Sequence, residues 1–356
     1  MRSLERMIKN YEEVDSRRHA YGRELESQEQ TLERDGRLVH AQTQRSTVNK
    51  DGSRQTSQNY IICENLVKIY QVSEIEVFAL QGLDLKIKKG ELMAIIGASG
   101  SGKSSLLNIL GGLDVPTGGK VRVGGWNLNK ISKEGKGAKE YKRRVVGFVW
   151  QNVSRNLIPY LTALENVELP MIFSGNLDRK WAKELLAAVG LAERMQHKPS
   201  EMSGGQQQRV AIAVALANKP ELLLADEPTG SLDRQTSELV MEVFGRVRDI
   251  FGVTIVIVTH DMSIAHAVDR FVRIRDGKIS TESVRRTLKN GDLYGNRATQ
   301  TKNGTIEGES HDEYVILDSA GRLQLPEEFR AKLGIKGKVK LHLEENRISI
   351  VPPDEV

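Results

Sequence analysis

The sequence predicts an α/β protein with a parallel β-sheet, followed by a second, small β-rich module. Over residues 59–282, short β-branched and aliphatic runs alternate with stretches of helical periodicity. That pattern is typical of strands that are joined by helices. Near the end of the 356-residue chain, residues 313–353 regain alternating apolar positions, as half-buried strands do.

Composition and charge exclude several classes of protein. The longest apolar runs, Val210–Ala217 and Val253–Val258, are far shorter than the roughly 20 residues of a membrane helix. The charged N-terminus has no apolar segment, so we expect no signal peptide. Cys63 is the single cysteine, which excludes an internal disulfide framework and favours a reducing cytosol, with the thiol buried in a strand. A net charge of +5 is typical of a solvated surface and only weakly favours nucleic acid or anionic lipid.

Four segments differ in composition. Residues 1–58 are rich in charge, Gln and Ser, and we expect a mostly disordered N-terminal extension. An apolar stripe between Leu4 and Val14 could instead dock a short helix on a partner. Residues 59–282 form the α/β domain, residues 283–312 are polar and turn-rich like a linker, and residues 313–353 form the β-rich module. The candidate buried strands of the α/β domain are Leu92–Ile96, Val145–Val149, Leu222–Ala225 and Thr254–Val258.

A phosphate-binding loop follows the first of these strands. Residues Gly97 to Ser104 match G-x-x-x-x-G-K-[ST] and precede the helical run Ser105–Leu110. Glycines let successive backbone N–H groups surround a phosphate, and the helix start favours an anion. Lys103 would contact the β- and γ-phosphates, and the Ser104 hydroxyl suits Mg²⁺. The predicted ATP-binding residues here are Ser99, Gly100, Ser101, Gly102, Lys103, Ser104 and Ser105.

Two carboxylates end a later apolar strand. Asp226 and Glu227 follow Leu222–Ala225 directly, and two acids at the end of a buried strand favour a cation there. Mg²⁺ with ATP would supply that charge. We expect Asp226 to hold the metal and Glu227 to orient the attacking water as general base. The alternative is a solvated strand end that carries two acids.

A Ser-Gly-Gly-Gln motif lies between these two features. It occupies Ser203 to Gln206 and precedes an apolar helix, which makes it a second helix start suited to an anion. With the three motifs in this order, residues 59–282 resemble the nucleotide-binding domain of an ABC transporter. The resemblance implies a P-loop NTPase fold with a mixed sheet and a helical subdomain. It also implies a head-to-tail homodimer with two ATP molecules between the subunits. The residues that would contact ATP bound by the other subunit are Ser203, Gly204, Gly205, Gln206 and Asp233.

The resemblance assigns roles to four more residues. Tyr70 would stack on adenine, with Val77 packed beside it. Gln151 would contact Mg²⁺ and the permease, and His260 would contact the γ-phosphate. Both Gln151 and His260 follow apolar runs, so we expect them at the carboxyl edge of the parallel sheet.

The stretches Pro159–Pro170 and Ala225–Asp233 resemble the MacB/LolD/FtsE-like branch of the family. This implies an integral membrane permease partner with few transmembrane helices and a large external domain. The protein would then be cytoplasmic and peripheral on the cytoplasmic face of the cell membrane, with residues 157–169 as the docking surface. Two alternatives remain: an FtsE-like regulatory ATPase that controls a membrane partner, and a soluble ABC ATPase that acts on nucleic acid. The second class usually carries two fused cassettes.

In the β-rich module, the sequence predicts strands around a turn at Gly321-Arg322 and then a helix, Glu327–Leu333. A hairpin of Lys338–Leu343 with Arg347–Val351 follows. It resembles the swapped-hairpin AbrB/SpoVT domains, which are obligate dimers and often bind DNA. Arg322 and Arg330 match DNA-contacting positions of that family. Because the module also carries many acidic residues, which oppose phosphate binding, we expect a dimer clamp rather than a DNA-binding domain. These acids are Glu313, Asp318, Glu327, Glu328, Glu344, Glu345, Asp354 and Glu355.

Overall fold

The structure, a computed structural model, describes residues 59–73, 75–131, 136–285, 311–316, 321, 323, 325–335, 339–345 and 347–352. The stripe predicted between Leu4 and Val14 lies outside these residues, as do Arg322 and residues 286–310 of the predicted linker.

The regular elements follow in chain order. The strands are β1 (Asn59–Val72), β2 (Ile75–Lys88), β3 (Leu92–Ile96), β4 (Gly118–Val123), β5 (Trp126–Asn127), β6 (Val146–Val149), β7 (Leu222–Asp226), β8 (Thr254–Thr259), β9 (Arg270–Arg275), β10 (Lys278–Arg285), β11 (His311–Val315), β12 (Lys340–Glu344) and β13 (Arg347–Val351). The α-helices are α1 (Lys103–Leu110), α2 (Lys136–Arg144), α3 (Ala163–Ser174), α4 (Arg179–Ala188), α5 (Gly204–Leu216), α6 (Arg234–Phe251) and α7 (Glu327–Lys332).

The strands of the described residues form three sheets. The largest has the order β11-β10-β9-β3-β8-β7-β6. Its strands from β9 to β6 are parallel, whereas β10 and β11 are antiparallel. An antiparallel sheet has the order β2-β1-β4-β5, and β12 pairs with β13. The predicted α/β fold with a mixed sheet is confirmed.

The central strands are buried on both faces, which explains their continuous apolar sequences. In β3, Leu92, Ala94 and Ile96 pack in the cluster that contains the residues of α3 to α6. Met93 and Ile95 point to the opposite side, into the cluster formed with β1, β2 and α1. Alternating side chains of one strand therefore join the two layers of the domain.

The carboxyl ends of the parallel strands lie level with one another. Ile96 of β3 pairs with Thr259 of β8, Val258 pairs with Asp226 of β7, and Ala225 pairs with Val149 of β6. The loops that follow these four strands consequently emerge at one edge of the sheet. Ligands of open α/β sheets bind at this edge.

The predicted strands match β3, β6, β7 and β8 to within one residue at each end. Cys63 lies in β1 and is buried, as predicted. Burial raises the pKa of its thiol to about 12. The described residues contain no helix that is both long enough and apolar enough to cross a membrane.

The predicted docking segment 157–169 is mostly covered by the fold. Leu157 is only 5% exposed and belongs to the core next to α3, so the prediction that it contacts a partner is wrong. Tyr160, by contrast, is 71% exposed. Leu157 follows a polar loop at a position where sequence alone does not show which apolar side chain turns inward.

The C-terminal elements begin on the large sheet. β11 pairs with β10, with Tyr314 opposite Glu282. The strands β10 and β11 thus occupy both ends of the segment predicted as a linker. Helix α7 and the hairpin β12–β13 lie where the sequence places a helix and a hairpin.

Candidate active site

A cavity of about 670 Å³ opens at the carboxyl edge of the parallel strands. That volume suits a nucleotide-sized ligand. It brings together most of the residues predicted from separate motifs, from the phosphate loop to the ends of β6, β7 and β8. The lining residues are Val77, Phe78, Ala79, Ala98, Ser99, Gly100, Gly102, Lys103, Ser104, Ser105, Gln151, Asp226, Glu227 and His260.

The phosphate loop wraps the start of α1. Gly102 has φ 103°, and a Cβ there would lie 2.3 Å from the carbonyl oxygen of Ala79, so only glycine fits. Lys103 is 7% exposed, and its Nζ donates hydrogen bonds to the carbonyl oxygens of Gly97 at 2.8 Å and Ala98 at 2.9 Å. These bonds fix the ammonium group inside the loop, where it can contact a phosphate.

Ser101 does not line this cavity. Its side chain is buried behind the loop, and its carbonyl oxygen accepts a hydrogen bond of 3.1 Å from the N–H of Gly277. The carbonyl oxygen of Gly277 in turn accepts from the N–H of Gln81 at 3.0 Å. The turn between β9 and β10 thus fastens the phosphate loop to β2.

The carboxylate of Glu227 is held by residues at the end of β8. The hydroxyl of Thr259 donates to Oε2 of Glu227 at 3.0 Å, and Nδ1 of His260 lies 2.9 Å from the same oxygen. The Glu227 side chain is 14% exposed and that of His260 is 65% exposed. A carboxylate that is oriented in this way, at the mouth of a phosphate-binding cavity, can act as a general base towards water.

Asp226 is the last residue of β7. Burial, and then the neighbouring Glu227, raise the pKa of its carboxyl, while Lys103 and Arg155 oppose the rise. A carboxylate that is disfavoured by burial is stabilised by a nearby cation. Ser104, Gln151 and Asp226 line the same cavity, and each carries a side-chain oxygen, the donor that Mg²⁺ prefers. These three side chains fit a magnesium ion.

Tyr70 stands at the margin of the cavity and is not among its lining residues. It pairs with Val77 across the β1–β2 hairpin, and its hydroxyl lies close enough to Ser105 for that side chain to act on the pKa of the phenol. Because Val77 and Ser105 do line the cavity, the tyrosine adjoins the part of the cavity wall that these two residues form.

The Ser-Gly-Gly-Gln motif lies outside this cavity. Ser203 caps α5: its Oγ accepts from the N–H of Gln206 at 3.3 Å, and its N–H donates to Oε1 of Gln206 at 3.0 Å. Asp233 caps α6 through hydrogen bonds from Thr236, which lower the pKa of its carboxyl. Within one chain, therefore, neither Asp233 nor the motif reaches the cavity beside Lys103.

Sequence reasoning missed two polar neighbours of the carboxylates. Thr259 could have been noticed, because it is the last residue of an apolar run and directly precedes His260. Arg155, which acts on Asp226, lies in a short 3-10 turn after β6. No spacing rule connects that turn to β7.

The chain is similar to several known proteins. Residues 80–230 match the family model described as ABC transporter. An uncharacterized ABC transporter ATP-binding protein of Thermotoga maritima is 48% identical over 231 residues, which span 64% of this chain and 94% of that protein. The ATP-binding protein MJ0796 of Methanocaldococcus jannaschii is 46% identical over 226 residues, spanning 62% and 94%. The macrolide export ATP-binding/permease protein MacB of Syntrophobacter fumaroxidans is 47% identical over 225 residues, but these cover only 31% of its length.

Solved structures of ABC cassettes are similar to this chain as well. A dimeric structure of the MJ0796 cassette in a post-hydrolysis state, bound to ADP and Pi, superposes with a TM-score of 0.56 at 43% identity and covers 62% of this chain and 97% of its own. A second dimeric MJ0796 structure gives 0.55 at 44% identity, with the same coverage. Since the chain is 48% identical to the Thermotoga protein over a stretch that spans 94% of that protein, it belongs to the family of ABC transporter ATP-binding proteins and is an ATPase that uses ATP with Mg²⁺.

Proposed function

We propose that two copies of this chain close head to tail over two ATP molecules and hydrolyse them to drive a separate membrane permease. The observation that carries the proposal is that, within one chain, the predicted ATP-binding residues lie in two separate places. The cavity holds Lys103, Asp226 and Glu227, whereas the helix start at Ser203 is not among its lining residues. Since a helix start is a ready anion site, a second copy could supply it. The similar MJ0796 cassettes are dimers, which supports this arrangement.

The residues of the cavity divide the chemical work between them. Lys103 and the loop N–H groups would hold the β- and γ-phosphates. Glu227 would orient water in line with the γ-phosphate and accept its proton, while the imidazole of His260 donates a hydrogen bond towards the developing charge. Thr259 keeps the Glu227 carboxylate in place. When it is bound by Ser104, Gln151 and Asp226, Mg²⁺ neutralises phosphate charge.

Mixing two inactive variants tests the shared site. Lys103→Ala removes the phosphate contact of one chain, and Ser203→Arg blocks the Ser-Gly-Gly-Gln motif of the other. In a mixed dimer, one site combines the intact loop of the second chain with the intact motif of the first. We expect the mixture to regain ATPase activity that neither variant has alone. No recovery at any mixing ratio, despite dimer formation, would contradict a site built from both chains.

The proposed partner is an integral membrane permease with few transmembrane helices and a large external domain, which would hold this protein at the cytoplasmic face. The support is the 47% identity to the ATP-binding part of the MacB protein, whose name includes a permease. Tyr160, which is 71% exposed on the loop before α3, is a candidate contact.

An affinity purification tests the partner. Glu227→Gln, loaded with Mg²⁺ and ATP, is used to capture proteins from detergent-solubilised membranes. The capture is repeated with a double variant that carries Tyr160→Lys together with Glu227→Gln. A permease that is retained by the first and lost with the second supports transport coupling. Recovery of DNA or ribosomal proteins alone would favour the nucleic-acid alternative. A partner with no transport activity, whose function depends on ATP turnover, would favour an FtsE-like regulatory role.

The C-terminal hairpin supports a second, finer proposal: it resembles an AbrB/SpoVT-like domain and clamps the dimer. Leu343 pairs with Ile348, and Leu341 pairs with Ile350, so these four apolar side chains share one face of the hairpin. Leu343 is 83% exposed and Leu341 64% exposed. A two-stranded sheet with such a face is only marginally stable alone. The same face of a second copy is available in every ATPase dimer and would bury it.

Sedimentation velocity without nucleotide tests the clamp. Leu343→Lys should shift the full-length protein towards monomer at micromolar concentration. His342→Lys adds the same charge to the opposite face of β12 and serves as the matched control. Equal sedimentation of both variants and the wild type would rule the clamp out.

A further inference from the structure

Tyr70 is connected to the segment that follows helix α1. Its hydroxyl donates to Oδ2 of Asp114 at 3.0 Å, and the nearby Ser105 acts to lower the pKa of the phenol. Ser105 belongs to the first turn of α1, and Asp114 lies just beyond the last residue of that helix. The backbone N–H of Asp114 donates to the carbonyl oxygen of Asn108 at 3.2 Å. The tyrosine is therefore fixed to the helix that carries the phosphate loop.

Lys68 covers one face of the tyrosine ring. Its Nζ lies 4.7 Å from the ring centroid, at a position two residues earlier on β1 and thus on the same side of the strand. The ammonium also lies 2.9 Å from Oδ2 of Asp114 and donates to the carbonyl oxygen of Val115 at 2.9 Å. The side chains of Lys68 and Asp114 are 9% and 12% exposed. An ammonium over a ring is attracted to its π electrons, and here it occupies one of the two faces.

The environment favours a charged Asp114 and a neutral Tyr70 at neutral pH. Burial works to raise the pKa of the Asp114 carboxyl, but hydrogen bonds from Lys68, Val115 and Tyr70 together hold it below its usual value. Burial raises the pKa of the Tyr70 phenol, so the hydroxyl remains a donor. Asp114 therefore stays a carboxylate that accepts from both side chains.

We propose that Asp114 and Lys68 are positioning residues for the nucleotide base, which hold the Tyr70 ring at a fixed place relative to the phosphate loop. The inference rests on the proposed role of Tyr70 in stacking on adenine. A ring that is already fixed loses little freedom when a base stacks on it, whereas a loosened ring must be ordered on binding. Loss of the cluster should therefore weaken base recognition. The hydrolytic groups on β7 and β8 do not contact it and should keep their geometry.

Steady-state kinetics of full-length variants test this role. Asp114→Asn removes the charge at nearly constant shape and should raise KM for ATP about three- to tenfold while kcat changes less than about twofold. Lys68→Met should act in the same direction. Glu64→Gln is the matched control, because Glu64 on β1 is likewise a carboxylate paired with a lysine, Lys120, at 3.8 Å. This control should behave as wild type.

Magnesium tripolyphosphate distinguishes positioning from a general loss of structure. This inhibitor has no base, so its inhibition constant should be the same for Asp114→Asn and wild type. A parallel weakening of tripolyphosphate and ATP would mean that the variant disturbs the phosphate loop, and the positioning role would be wrong. Should Asp114→Asn not fold, Tyr70→Phe, which keeps the ring and loses its hydroxyl, gives the same comparison.

Tyr70→Ala separates this inference from the function on which it rests. If Tyr70→Ala leaves KM for ATP unchanged, stacking by Tyr70 itself is disproved. If Tyr70→Ala raises KM for ATP but Asp114→Asn and Lys68→Met do not, the stacking role of Tyr70 is supported and the positioning role of Asp114 and Lys68 is disproved. The expected result is that Asp114→Asn adds nothing to KM once Tyr70 has been replaced by alanine.

Discussion

Nδ1 of His260 lies 2.9 Å from Oε2 and 3.0 Å from Oε1 of Glu227. Glu227 also has φ 47°, a left-handed conformation that costs about 1–3 kcal/mol in a residue other than glycine. The contacts from His260 and Thr259 keep the residue in this conformation. Strain that is maintained by neighbouring polar groups is typical of side chains placed for chemistry.

Glu227→Gln should bind ATP and hydrolyse it at least about 100-fold more slowly, because an amide cannot accept the proton of the attacking water. Steady-state phosphate release and equilibrium dialysis with ATP measure the two properties. Glu221→Gln, an exposed carboxylate next to the start of β7 that is paired with Lys89, is the control and should turn over normally. Rapid hydrolysis by Glu227→Gln would remove it from the general-base role.

Asp226→Asn should stabilise the nucleotide-free protein while abolishing its response to Mg²⁺. Burial beside Glu227 raises the pKa of Asp226 in the folded state, so just above the usual carboxyl range the folded protein binds more protons than the unfolded chain. Stability contributed by this group therefore falls as pH rises through that interval. At pH 7 the variant lacks the disfavoured charge, and its Tm should be about 2–4 °C higher.

Thermal denaturation between pH 5 and pH 8, with and without Mg²⁺ and ATP, measures both effects. The Tm difference should shrink as the pH is lowered, because protonation of the wild-type carboxyl removes the disfavoured charge. Wild type should gain more from Mg²⁺ with ATP than from ATP alone, and Asp226→Asn should not. An equal magnesium effect in both proteins would exclude Asp226 as a ligand.

The strands β3, β6, β7 and β8 were predictable because each is a short apolar run that ends in a polar motif. Their parallel order brings Lys103, Glu227 and His260 together, so most of the cavity follows from local sequence. The contact between Tyr70 and Asp114 was not predictable. It joins residues 44 positions apart through tertiary packing, for which neither residue carries a periodic signal.

The burial of Leu157 was not predictable either, because the sequence pattern of an apolar residue in a loop is the same whether its side chain contacts a partner or the core. Its neighbour Asn166 shows why the loop folds inward. The amide of Asn166 accepts from the N–H of Ile158 at 2.7 Å and donates to the carbonyl oxygen of Leu161 at 3.1 Å. This buried amide shapes the loop and directs Leu157 to the core.

Charged substitutions at the two loop positions should therefore behave differently. Leu157→Lys places an unpaired charge in the core and should lower the free energy of unfolding by about 3–5 kcal/mol. Tyr160→Lys changes an exposed side chain and should keep the wild-type Tm and basal ATPase activity, while stimulation by the permease is lost. Denaturant unfolding and ATPase assays with the reconstituted partner measure these effects. Full stimulation of Tyr160→Lys would exclude this residue from the docking surface.

The start of helix α5, at the Ser-Gly-Gly-Gln motif, packs closely against Thr236 of α6. A Cβ on Gly205 would lie 2.1 Å from Cγ2 of Thr236, whereas one on Gly204 would lie 3.3 Å from the flexible end of Leu232. Gly205→Ala should therefore lower the free energy of unfolding by about 1–3 kcal/mol through overpacking. Gly204→Ala, with the same added atom, should cost clearly less.

Thr236→Ser distinguishes this clash from other effects of the alanine. It deletes the methyl group that Gly205→Ala would strike but keeps the hydroxyl that donates to Oδ2 of Asp233 at 2.6 Å. Chemical denaturation of Gly205→Ala, Thr236→Ser and the double variant completes the cycle. The double variant should recover most of the lost stability. If it remains as unstable as Gly205→Ala, the close approach of α5 to α6 is not the reason for glycine at this position.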